Sequence, residues 1–166
     1  MTESASVSIH TIHTPVIPIR PSCRMRQPEP RNLTDLPAMT LKIGVVMDPI
    51  AIITIKKDTT FAMLLAAQAC GWELHYFEQA DLYARADTAF GRARLLSVRD
   101  DKSGWFSFHG ERELPLAQLD VILMRKDPPF DMEYIYTTYL LELAETAGAL
   151  VVNKPRSLRD ANEKFF

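Results

Sequence analysis

Two short runs concentrate the side chains best suited to chemistry: Met47-Asp48-Pro49-Ile50, and Arg125-Lys126-Asp127-Pro128-Pro129-Phe130. Each follows a stretch that reads as a β-strand, and in an open parallel sheet ligands bind beyond the carboxyl ends of the strands. Arginine presents a planar fork that can grip a carboxylate at two points, and the neighbouring prolines stiffen the loop that carries it. A peptide or amino-acid ligand suits that arrangement. The competing account is structural: Arg125 and Asp127 pair with each other or with Asp48 and simply close the loops. Lys56-Lys57-Asp58 precedes a helix and could meet an anion at its N-terminus, where free amides point outward, or it is a solvated loop.

Other chemistries find less support. The sequence contains neither GxGxxG nor GxxxxGK[ST], which disfavours a free-standing dinucleotide or P-loop phosphate site. The four histidines, His10, His13, His75 and His109, have no nucleophile setting around them and are read as structural or incidental. Cys23 and Cys70 lack metal-ligand spacing, so neither a zinc site nor a disulfide framework is indicated and a reducing cytoplasm fits. Cys70, one residue before a glycine stop, is assigned to core packing.

The elements that must position these residues begin at Leu41. Lys42 to Met47 is a nearly continuous apolar run, as in a strand buried on both faces of a parallel sheet. Thr59 is the expected N-cap of a helix that places Phe61, Leu64, Leu65 and Gln68 at helical spacing and stops at Gly71. Glu73 to Phe77 is a second strand. Arg92 to Gly110 alternates as a hairpin, with Leu96 and Val98 facing Phe106 and Phe108 across a turn at 100–104. Asp120 to Met124 is a further strand. Asp131 and Glu133 open a helix whose expected apolar face is Ile135, Tyr139, Leu140 and Leu143. Gly148 ends it, Ala149 to Val152 forms a last strand, and Pro155 with Leu158 begins a connection. The order βαβ, hairpin, βαβ predicts an α/β fold, a Rossmann-like, mostly parallel sheet flanked by helices, with an inserted β-hairpin.

Residues 1–38 differ in being rich in proline, serine and threonine, which predicts a disordered N-terminal extension; Met39 is an alternative start. The chain has 166 residues, 47% apolar and 24% charged, with a net charge of -2, the balance of one soluble globular domain. No basic block points to nucleic acid, and no apolar run reaches the roughly 18 residues of a transmembrane helix.

Taken together, several stretches resemble the prokaryotic glutathione synthetase family. They are Lys42 to Ile50, Ile55-Lys56-Lys57-Asp58 with Phe61-Ala62-Met63-Leu64-Leu65, Trp72-Glu73-Leu74-His75-Tyr76, Trp105-Phe106-Ser107-Phe108, Leu114 to Ala117, Asp120 to Asp131, Val152-Asn153-Lys154-Pro155, and Ser157 to Asp160 running into Asn162-Glu163-Lys164. The resemblance covers Leu41 to Phe166 in order. It implies an ATP-grasp ligase that joins γ-glutamylcysteine to glycine: ATP phosphorylates the cysteinyl carboxylate and the glycine amine attacks the acyl phosphate, with Mg2+ bridging the phosphates. It implies a pre-ATP-grasp domain over 39–161 and the start of an ATP-grasp domain at 162–166, in a cytoplasmic homo-oligomer. It carries Arg125, Asp127 and Asp48 to the peptide-binding side and Lys164 to the nucleotide. Because the family's glycine-rich loop and magnesium ligands lie beyond Phe166, this chain is expected to be inactive alone, with no catalytic residue of its own and no tight binding of ATP or Mg2+. Two other readings remain open: a non-catalytic α/β binding or oligomerisation module, and an unrelated flavodoxin-like nucleotide-binding domain.

Overall fold

A computed structural model describes residues 40–161; the extension at 1–38 and the segment 162–166 with Lys164 lie outside the described residues. Strand β1 (Lys42–Met47) is buried at every position after its first. It is buried because it is central: β2 (Glu73–Phe77) pairs with it in parallel along one edge and β6 (Val121–Arg125) along the other, and β7 (Leu150–Val152) extends the sheet in parallel beyond β6. A continuous apolar run is what a strand covered on both faces requires.

Helix α1 (Thr59–Ala69) connects β1 to β2, and α2 (Met132–Thr146) connects β6 to β7. The two crossovers run in opposite directions from the centre of the sheet, so right-handed connections put the helices on opposite faces. Two cores result. Phe61 and Leu64 of α1 pack with Val45, Met47, Leu74 and Tyr76. Leu141 and Ala144 of α2 pack with Val46, Phe77, Ile122 and Met124. Neighbouring residues of β1 thus serve different cores, as strand alternation demands.

Beyond β2 the sheet becomes antiparallel. β3 (Leu82–Arg85), β4 (Thr88–Val98) and β5 (Phe106–Pro115) form a meander in which β4 pairs with β2, β3 and β5. The expected hairpin is present, with Leu96 opposite Phe108 and Val98 opposite Phe106. It is longer than the alternation indicated, and β3 was not anticipated, since Leu82-Tyr83-Ala84-Arg85 is too short and mixed to carry a signal. A short helix α3 (Pro155–Asp160) occupies the expected connection.

Three expectations need correcting. Asp58, not Thr59, caps α1: its Oδ1 accepts the Phe61 amide at 2.8 Å. Cys70 is exposed as the C-cap residue of α1 and does not pack in the core. The buried face of α2 is Thr137, Thr138, Leu141 and Ala144, while Tyr139 is 50% and Leu143 38% exposed. Burying two threonines is tolerable because each hydroxyl donates back to a carbonyl of its own helix, Thr137 to Glu133 at 2.8 Å and Thr138 to Ile135 at 2.6 Å.

Candidate functional site

The switch point of the sheet lies between β1 and β6, where the chain leaves in opposite directions, and both charged runs emerge there. Register sets their spacing: Met47 is the partner of Arg125, so the next residues, Asp48 and Lys126, leave the sheet side by side. The Asp48 carboxylate accepts from the Lys126 ammonium at 2.9 Å and from the Asp127 amide at 3.0 Å. Lys126 also donates to the Asp127 carbonyl at 2.7 Å. Asp48 therefore ties the loop after β6 to the loop after β1. Arg125 forms an ion pair with neither Asp127 nor Asp48; the loops are closed instead by Lys126 and the Asp127 backbone on Asp48.

Arg125 does something else. Its Nε donates to the Thr60 hydroxyl at 2.9 Å and its Nη2 to the Thr59 hydroxyl at 2.8 Å, in the first turn of α1. These neutral acceptors fix the plane of the guanidinium and use two of its five N–H groups; among the described residues Arg125 makes no ion pair, although Asp48, Asp58 and Asp127 line the same cavity. The first-turn amides of α1 add partial positive charge on the same side. Met47, Asp48, Lys57, Thr59, Arg125 and Asp127 are among the residues around a polar cavity of about 180 Å³. Of the Lys56–Lys57 pair, Lys57 lines this cavity and Lys56 does not.

The loop after β1 is held from beneath. The Ile50 amide donates to the Tyr76 hydroxyl at 3.2 Å, and the Ile50 carbonyl accepts from Trp105 Nε1 at 2.9 Å. The Tyr76 proton faces Glu78 Oε1 at 3.0 Å and the Asp48 carbonyl at 3.3 Å. Burial, reinforced by the Glu78 carboxylate, pushes this phenol far above its ordinary range, so it remains a neutral donor. Glu78 in turn accepts from Arg94 at 2.9 Å, and the Arg94 guanidinium lies 4.7 Å from the centre of the Tyr76 ring.

The structure thus brings together Asp48, Arg125 and the Asp127 loop around one cavity. Thr59, Thr60, Tyr76 and Trp105 were missed as contributors. The threonines carried a signal, since two hydroxyls in the first turn of a helix at a sheet switch point are candidates for ligand or side-chain contacts; Tyr76 and Trp105 depend on tertiary packing and carried none. His75, the middle residue of β2, is fully buried.

A family model described as the N-terminal domain of prokaryotic glutathione synthetase matches residues 41–159. The chain belongs to the prokaryotic glutathione synthetase family. It is 65% identical over 126 residues to a glutathione synthetase of Yersinia pestis, covering 76% of this chain and 40% of that protein. It is 64% identical over 128 residues to one of Pseudomonas aeruginosa, covering 77% and 40%. The figures for Escherichia coli strain K12 are 63% over 126 residues, 76% and 40%. The chain therefore spans about two fifths of the length of the glutathione synthetases it matches. The segment matched to the family includes Asp48, Arg125 and Asp127 and ends before Lys164.

Proposed function

We propose that residues 39–161 are the peptide-side domain of an ATP-dependent ligase that joins γ-glutamylcysteine to glycine. The observation that carries this reading is the guanidinium of Arg125, oriented by the Thr59 and Thr60 hydroxyls and without an ion pair among the described residues, at the switch point of a family-matched domain. Its remaining N–H groups receive a carboxylate of the peptide. Asp127 also lines the cavity and supplies negative charge for an ammonium group, while Asp48, already paired with Lys126, ties the two loops together around it. Binding of this kind fixes the orientation of the peptide before its cysteinyl carboxylate is phosphorylated and attacked by the glycine amine. Lys164 belongs to the nucleotide side of the reaction on the strength of the resemblance alone.

Among the described residues, no group of three or more His, Cys, Asp or Glu is placed to hold a metal ion. They do not fit the magnesium that the family implies. This chain is expected to bind the peptide. The paucity of cysteine favours the cytoplasm as its setting, and among the described residues no helix is long and apolar enough to cross a membrane.

Isothermal titration of γ-glutamylcysteine into the whole chain tests the proposal. Saturable binding that is lost when glutamylcysteine methyl ester replaces the acid is the expected result; heats indistinguishable from dilution would sink it. One observation favours association as a further role. Met132, Tyr136, Tyr139 and Leu143 form an exposed apolar stripe along α2, beside a groove of about 420 Å³ that Tyr83 and Ala84 also line. Sedimentation velocity on the titrated sample would show a homo-oligomer if that stripe serves one.

A further inference from the structure

We infer that Tyr76 and Trp105 are positioning residues for the peptide site, acting through the backbone of Ile50. This rests on the reading of Asp48 as part of that site. Ile50 lies two residues beyond Asp48, and both of its backbone polar groups are taken by side chains from elsewhere: the amide by Tyr76 of β2, the carbonyl by Trp105 next to β5. Tyr76 reaches the Asp48 carbonyl as well. The Ile50 side chain is buried, so the loop is fixed from three directions.

The clamp has a direct line to the site. Asp48 has to place two carboxylate oxygens on two different donors, Lys126 Nζ and the Asp127 amide, and a loop free to shift would lose one of them. Each bond in the clamp is individually modest, but their joint effect is to narrow the loop to one conformation before any ligand arrives. The antiparallel meander, remote from the switch point in topology, thereby acquires a task. It carries Trp105 to Ile50 and Arg94 to Glu78, which faces the Tyr76 hydroxyl.

Tyr76→Phe removes the hydroxyl and keeps the ring in its packing and under Arg94. In the whole chain, amide resonances of Asp48, Ile50 and Asp127 are expected to move or broaden, and the affinity for γ-glutamylcysteine to fall on the order of tenfold. Gly71→Ala is the control for mere destabilisation, since it strains the positive φ of 77° at the far end of α1 and leaves the clamp intact. It should leave the Asp48 and Asp127 amides in place. If Tyr76→Phe leaves those amides unshifted, the inference is wrong. Should that variant not fold, Trp105→Phe, which removes only the indole donor, is judged by the same resonances. If the parent chain binds no γ-glutamylcysteine, the proposed function fails while the resonances still decide the clamp.

Discussion

A guanidinium held by hydroxyls differs in kind from one held by a carboxylate. Arg94 donates to Glu78 and Asp81 and spends its charge inside the protein. Arg125, oriented by Thr59 and Thr60, forms no ion pair among the described residues, which suits the carboxylate-binding role proposed for it. Lysine at position 125 would preserve the charge and lose the fork, because a single ammonium cannot satisfy both threonines and still present a flat, bidentate edge. Arg125→Lys is therefore expected to weaken γ-glutamylcysteine binding by roughly ten- to a hundredfold, the loss of one or two charge-assisted hydrogen bonds. The melting temperature should change little, since the pair of hydrogen bonds lies at the rim of the cavity. Comparing calorimetric titrations with thermal melts of the same samples separates the two effects.

At the scale of elements, the packing of the antiparallel meander under Phe77 of β2 depends on a glycine. A Cβ built on Gly91 would lie 2.6 Å from Phe77 Cε1 and 3.0 Å from Leu116 Cδ2, both in a fully packed core. Gly91→Ala should cost about 1–3 kcal/mol of stability, visible as a lower urea midpoint with an unchanged slope. The element boundaries illustrate what can be read from a chain and what cannot. β1 was legible because apolar residues in succession leave few alternatives, and the hairpin because Leu96, Val98, Phe106 and Phe108 repeat at a period of two around an obvious turn. The face of α2 was misread because the helix carries two interleaved stripes. Hydrophobicity favours Tyr139 and Leu143, yet the core selects Thr137, Thr138 and Ala144, whose small size allows close packing and whose hydroxyls are satisfied within the helix. In the site, Asp48, Arg125 and Asp127 announced themselves by charge after strands. The contributions of Tyr76 and Trp105 arise only when residues 26 and 55 positions from Ile50 meet it in space.

At the scale of the whole molecule, acid should loosen the fold through His75. The ring is fully buried, its Nε2 is 2.6 Å from a Glu73 oxygen, and Arg112 shares that carboxylate at 2.9 Å. Burial lowers its pKa below the ordinary 6.5; Glu73 opposes the shift, and the positive charges of Arg112 and Lys42 add to it. The unfolded chain thus takes up this proton first. The stabilising effect of a neutral His75 is fully present above pH 6.5 and is lost as the pH falls from there through the folded-state value. Urea midpoints measured from pH 7.5 down to 5 should decline in the parent and decline less in His75→Leu; parallel curves would exclude His75 as the cause. The central position of β1 also has a consequence for synthesis. Lys42 is 78 residues ahead of Asp120, whose carboxylate caps its amide, and β6 follows immediately afterwards. At 5–20 residues per second a ribosome takes roughly 4–16 s to cover that distance. Through that interval the most apolar strand of the nascent chain has one edge without its partner, a window in which a chaperone that shields extended apolar segments would find its natural client.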